Sequence, residues 1–153
     1  MNQSSENIVR PWRTLLRTHA AMIDVLSREM EAATDLPIGW YEVLLHLQEA
    51  PRGRLRMHQL AESMLSSRSA TTRFVDRMET AGLVERIVCP TDRRGLELVM
   101  TERGRALFHK AGRIHLQGIE KHFSRYLTES EAAVIEAALG RVLEAAEKSP
   151  ISD

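Results

Sequence analysis

One cysteine, Cys89, is all the thiol this chain has. A single cysteine makes no internal disulfide, which fits a reducing cytoplasm. With no CxxC pair and no Cys/His cluster, no structural zinc is expected. Long apolar runs are missing too, and nothing approaches the ~20 residues of a membrane-spanning helix. The opening residues Met1-Asn2-Gln3-Ser4-Ser5-Glu6 have neither a basic n-region nor an apolar h-region, so no secretory signal is expected. No Gly-rich phosphate loop and no nucleophile elbow occurs. His58, His109, His115 and His122 are scattered; His115 and His122 share a helical face but lack a paired carboxylate and a third ligand. No enzyme, metal site or cofactor is therefore expected. Internal repeats and low-complexity tracts are absent as well.

Net charge is the last absence: 21 basic residues balance 21 acidic ones. The balance is not uniform along the chain. Residues 51–105 hold 11 Arg and no Lys against 7 acidic residues, a surplus of four. The remainder holds 10 basic and 14 acidic residues, a deficit of four. A basic centre made only of Arg suits bidentate contact with phosphate and guanine, although an asymmetry of this size also arises by chance. At 153 residues the chain is expected to form one domain with a real core.

Apolar spacing gives the element order. Trp12, Leu15, Leu16, Ile23, Leu26 and Met30 recur with a helical period, predicting a helix over 11–34 that opens at Pro11. Asp35-Leu36-Pro37 ends it. A second helix is expected over 38–49, on Val43, Leu44, Leu45 and Leu47. Pro51-Arg52-Gly53 is a turn, Leu55 sits in a very short strand, and a short helix covers 57–64. Ser66-Ser67 supplies hydroxyls for a helix start, and Gly82 stands where a left-handed residue closes that helix. Two strands then form a hairpin around "CPTDRRG", residues Cys89 to Gly95, read as a loop tip. Thr101 caps a helix over 102–126. Thr128 and Glu131 form a capping-box pattern opening a last helix to 147. The fold class is mainly α with a small β-hairpin wing: a winged helix-turn-helix over 36–101, flanked by helices over 8–34 and 102–148.

The helix after Ser67 is the one expected to touch a partner. At 100° per residue, Ala70, Phe74, Val75 and Met78 fall within one arc of about 140°, a core stripe. Arg68, Ser69, Thr72, Arg73, Asp76 and Glu79 fall outside it. The first half of that outer face carries only donors; the carboxylates come later. A helix enters the major groove by its N-terminal part, where its dipole is positive. Arg68, Ser69 and Thr72 are candidates for base edges, Arg73, Arg86 and Arg93 for phosphate, and Ser67 at the cap is a further candidate DNA-binding residue. The duller alternative is a solvated face in which Asp76 and Arg77 pair with neighbours.

At the hairpin tip, Asp92 beside Arg93 and Arg94 makes little sense as a phosphate binder. It makes sense as a carboxylate that orients one guanidinium, and an Arg is favoured in a narrow minor groove. An ordinary charged tip remains the alternative.

The helix-turn-helix "LRMHQLAESMLSSRSATTRFVDRMETAGLVER" followed by "LVERIVCPTDRRGLELVMTERG" resembles the MarR (multiple antibiotic resistance regulator) family of bacterial transcription factors, most strongly over 36–108. Asp92 and Arg94 correspond to the family's Asp-x-Arg wing signature. The resemblance implies that Arg94 enters the minor groove while Asp92 positions it. It implies a homodimer with interlocked N- and C-terminal helices, in a bacterial cytoplasm and on the nucleoid when bound to double-stranded DNA. It further implies repression through a pseudo-palindromic operator, with half-sites ~10 bp apart, and release by a small aromatic or phenolic effector. Trp12, His19, Trp40 and His46 are the polar-tipped aromatic groups expected near an effector pocket; packing in the core is their plainer role. Two other readings stand beside this one. One is a winged-helix module that binds proteins, and the other is a redox-responsive regulator acting through Cys89, which has no resolving cysteine in the same chain.

Overall fold

The computed structural model describes the backbone of residues 3–64, 67–89 and 92–149; the side chains of residues 3–6, 8, 68, 89 and 92–95 lie outside that description. The chain packs as two compact units, Met1–Leu116 and Gln117–Asp153.

The first unit opens with α1 (Gln3–Thr34), which is longer than expected. Pro11 lies inside the helix rather than at its start. Proline removes one helical N–H but does not have to end a helix, and the polar residues before it carry no stop signal. The expected apolar stripe divides. Leu26 and Met30 are buried, whereas Trp12, Leu16 and Ile23 stay exposed. The helix ends where the Thr34 hydroxyl donates to the Met30 carbonyl at 2.7 Å and accepts from Leu36 N at 3.3 Å. Asp35 then turns through a left-handed φ of 56°.

α2 (Ile38–Glu49) follows, with Val43, Leu44 and Leu47 fully buried. A 3-10 turn at Pro51–Gly53 leads into β1 (Arg54–Arg56) and α3 (Met57–Ser63). α4 spans Arg68–Thr80. Ser67 is its cap, accepting from Ala70 N at 3.3 Å. Val75 and Met78 are its fully buried residues, with Ala70 and Phe74 half-buried. Thr71, absent from the expected stripe, is also buried, and its hydroxyl donates to the Ser67 carbonyl at 3.1 Å. That bond satisfies the polar atom and makes the burial inexpensive. At the far end Gly82 takes φ 69°. Its N–H donates to Glu79 O at 2.8 Å, and Leu83 N donates to Met78 O at 3.0 Å. Leu83 and Met78 are both buried, completing a glycine-terminated helix end.

β2 (Val84–Cys89) and β3 (Asp92–Met100) form the hairpin. The stretch expected as a loop over 89–95 is mostly strand. Cys89 pairs with Asp92 after an irregularity next to Val88, so the ladder runs further toward the tip than the Pro and Gly suggest. The short strand expected at Leu55 has a partner the sequence did not name. β1 pairs antiparallel with β3, Leu55 opposite Leu98, giving the order β1-β3-β2.

α5 (Glu102–His122) begins in this unit. The Thr101 hydroxyl accepts from Gly104 N at 3.0 Å and donates to Gly82 O at 2.7 Å. α5 buries Phe108 and Ala111. Tyr41 of α2 stacks on Phe108 with ring centroids 5.3 Å apart, and His115 tilts against the same tyrosine at 5.2 Å.

The second unit holds the end of α5, a 3-10 turn at Ser124–Tyr126, and α6 (Glu129–Glu147). The helix expected to reach 126 stops at His122, because Phe123 leaves helical dihedrals (φ −130°). The expected capping box is formed. Thr128 N donates to Glu131 Oε2 at 2.8 Å, and Glu131 N donates to Thr128 Oγ1 at 3.3 Å. Those contacts hold the Glu131 carboxyl below its ordinary value. The apolar face of α6 is uncovered, with Val134, Val142 and Leu143 all at least 60% exposed.

Candidate nucleic-acid interface

α3, α4 and the hairpin place the candidate residues. α4 is held by its buried side, Thr71, Val75 and Met78, so its opposite side faces outward. On that side Ser67, Ser69, Thr72 and Arg73 are all exposed. Ser67 and Ser69 share a hydroxyl contact at 3.3 Å. Arg68 starts the helix, and its side chain lies outside the described residues. The first turn of α4 contains no carboxylate, so no acidic side chain of that turn opposes the positive end of the helix dipole.

The carboxylates further along do not simply point to solvent. Arg86, on β2, lies between them. Its Nη2 is 2.7 Å from Asp76 Oδ1 and its Nη1 donates to Glu79 Oε2. Its backbone N–H donates to Glu79 Oε1 at 3.1 Å. Arg86 was expected at the phosphates. The structure instead engages both ends of its guanidinium with α4, because the hairpin folds back onto that helix. Arg77 lies over the Phe74 ring at 5.5 Å, a cation–π arrangement.

The remaining wing candidates, Asp92, Arg93 and Arg94, have their backbones at the start of β3; their side chains lie outside the described residues, as does that of Cys89. The orienting contact expected between Asp92 and an arginine falls on those residues.

A cavity of about 550 Å³ lies between the end of α1, the start of α2 and the first half of α5. Thr34, Asp35, Leu36, Trp40, Leu83, Arg103, Leu107 and Lys110 line it. Of the four aromatic groups expected at a pocket, only Trp40 is among the lining residues. Trp12 and His19 lie exposed on α1, and His46 is half-buried on α2. The sequence reading missed Arg103 and Lys110. Their signal is the spacing Arg103, Ala106, Leu107, Lys110, which puts all four on one helical face.

Elsewhere in this unit burial shifts two groups. It raises the Tyr41 phenol above its ordinary value, with the charge of Glu49 adding to the effect. It lowers His115, whose Nδ1 is buried with no hydrogen-bond partner among the described residues. Among the described residues no three His, Cys, Asp or Glu side chains converge to hold a metal ion.

Comparison with known proteins gives a consistent picture. A family model described as "MarR family" matches residues 34–95. The HTH-type transcriptional repressor MdtR of Bacillus subtilis is 36% identical over 101 residues, 63% of each chain. The crystal structure of AbsC, a MarR family transcriptional regulator from Streptomyces coelicolor, superposes with a TM-score of 0.84 at 29% identity, covering 97% of this chain and 98% of that one. A second MarR family regulator from the same organism, solved in complex with DNA, gives 0.82 at 27% identity, covering 100% and 94%.

Proposed function

This chain belongs to the MarR family of transcriptional regulators, and from that premise we propose that it is a homodimeric repressor that binds a pseudo-palindromic operator and is released by a small aromatic or phenolic effector. It acts in a bacterial cytoplasm, on the nucleoid when bound. The observation that carries the reading is the divided face of α4, with exposed hydroxyls and Arg73 at its start and carboxylates only beyond. The similar regulator solved with DNA supports it, as does the printed repressor role of the relative MdtR.

In this reading residues 36–101 are the DNA-binding lobe. Arg68, Ser69 and Thr72 face base edges in the major groove, Arg73 and Arg93 face phosphate, and Ser67 at the cap completes the DNA-binding set. Arg94 enters the minor groove with Asp92 as its orienting partner. Arg86 is withdrawn from the phosphate set because Asp76 and Glu79 occupy it. The helices over 8–34 and 102–148 dimerise. Support comes from the uncovered apolar residues of α1 and α6, such as Trp12, Ile23, Val134 and Val142, which water leaves without a hydrophobic partner. The effector sits in the cavity beside Trp40. Its two cations, Arg103 and Lys110, and its apolar wall suit a flat anionic ring. Release follows if the effector favours a spacing of the two reading heads that no longer fits the operator.

The test is a gel shift on the DNA immediately upstream of the protein's own gene, against random duplex, across a salt series. Specific binders exceed their nonspecific affinity by roughly 10³–10⁷. Arg94→Ala is expected to weaken the specific shift while the protein stays folded. Equal affinity for random DNA would defeat the regulator reading, and unchanged binding by Arg94→Ala would remove the wing contact.

A further inference from the structure

Arg86 stands on β2, and both of its carboxylate partners stand on α4. Asp76 and Glu79 are three residues apart and therefore on one face of that helix. Glu79 receives the backbone N–H of Arg86 with one oxygen and the guanidinium with the other. Asp76 takes the second arm of the same guanidinium at 2.7 Å. The Arg86 side chain is 19% exposed against 36% for Glu79 and 54% for Asp76, so solvent screens the Glu79 contact less than an ordinary surface pair and the Asp76 contact much as it screens one. Arg86 is also a ladder residue, paired with Leu98 of β3. Whatever holds Arg86 against α4 therefore holds both strands of the hairpin.

We propose that Arg86, clasped by Asp76 and Glu79, is a positioning residue that sets the wing strands at a fixed angle to the reading helix, so that helix and wing meet one duplex as a single rigid piece. The proposal rests on the DNA-binding reading above. The physical reason is preorganisation. A wing free to pivot must be immobilised when DNA binds, and that ordering is subtracted from affinity. A planar five-donor guanidinium is suited to two carboxylates at once; an ammonium is a point charge and is not. The clasp reverses an elementary expectation. Removing a carboxylate beside a phosphate backbone should strengthen DNA binding, since it removes repulsion. Here the removal frees the wing and weakens binding.

The experiment compares the full-length protein with Glu79→Gln, Asp76→Asn, Arg86→Lys, Arg86→Gln and the swapped pair Glu79→Arg with Arg86→Glu. Affinity is measured for the upstream DNA and for random duplex over a salt series, with amide hydrogen exchange followed in β2. Glu79→Gln is expected to weaken specific binding by about tenfold, the scale of coupling between contacting groups. Its salt slope should be unchanged, because no phosphate contact is lost. Binding to random duplex is expected to hold or strengthen. Arg86→Lys should weaken specific binding although the charge is kept, and the swapped pair should recover part of the loss. Equal or tighter specific binding by Glu79→Gln overturns the proposal. So does a salt slope that falls by about one in Arg86→Gln, where the charge is removed, which marks a direct phosphate contact. If the wild-type protein binds no duplex at all, the regulator reading fails separately and hydrogen exchange decides the clasp. Faster exchange of the Arg86 amide and its β2 neighbours in Glu79→Gln upholds it; unchanged exchange overturns it.

Discussion

Gly104 lies so close to Leu83 that a Cβ on it would sit 2.0 Å from the Leu83 carbonyl oxygen. That carbonyl already accepts from Thr101 N at 3.1 Å, and Thr101 caps α5 through Gly104 N. The end of α4, the end of β3 and the start of α5 thus meet in one knot of backbone. No side chain fits at residue 104 without moving an element that carries the proposed reading helix.

Gly104→Ala is therefore expected to destabilise the protein by about 2–4 kcal/mol through overpacking against backbone. The glycine's helix-propensity penalty, about 1 kcal/mol, would favour alanine at an open site. Urea unfolding decides between the two effects, and a midpoint that rises instead of falling would show that the knot yields.

His115 carries a pH dependence whose sign follows from its surroundings. Burial holds its folded-state value below the ordinary 6.5. Above that pH the residue is neutral both folded and unfolded. As the pH falls through 6.5 the unfolded chain takes up the proton first, and stability is lost until the folded-state value is passed. His115→Phe keeps a ring against Tyr41 and removes the titrating group. Its unfolding free energy should decline less than the wild type's between pH 7.5 and 5.5; parallel curves would assign the acid sensitivity elsewhere.

Local signals were legible and remote partnerships were not. Ser67 as a cap, Gly82 with its positive φ, and the Thr128–Glu131 box each depend on residues within a few positions, and each stands where the sequence reading put it. Pro11 misled because a proline that suits a first turn can also lie within a helix. Arg86 misled because its partners lie seven and ten positions away, on an element reached only after the hairpin folds back. The cavity combines residues 34–40 with residues 103–110, and no spacing rule joins segments so distant. Only side-chain chemistry links Trp12, His19 and His46 to Trp40.

The bare face of α6 makes assembly a direct test of the dimer. The wild-type protein is expected to sediment at twice its 17.4 kDa chain mass. Val142 is 62% exposed within the chain, so glutamate there costs little if nothing covers it. Val142→Glu is expected to shift the protein toward the monomer through a desolvated charge at the interface. A dimer undisturbed by this change would place the interface elsewhere.

The cavity beside Trp40 yields a prediction with opposite signs on opposite charges. Benzoate or salicylate at about a hundred times its Kd should stabilise the protein by about 2.7 kcal/mol. Lys110→Ala should diminish that thermal shift, and Asp35→Asn, which removes the one carboxylate among the lining residues, should enlarge it. Equal shifts in all three proteins would place the ligand outside this cavity.

The central place of β3 in the sheet constrains how the chain is made. Leu55 must wait for Leu98, its ladder partner, and the two are separated by most of the lobe. Sequence-distant pairing of this kind is slow, because the intervening chain must be closed into a loop first. During synthesis from the N-terminus, β1 and β2 both emerge before the strand that joins them. A nascent chain that has emerged as far as Cys89 but not yet to Met100 holds β1 and β2 without the strand that joins them, a form open to pairing with other molecules.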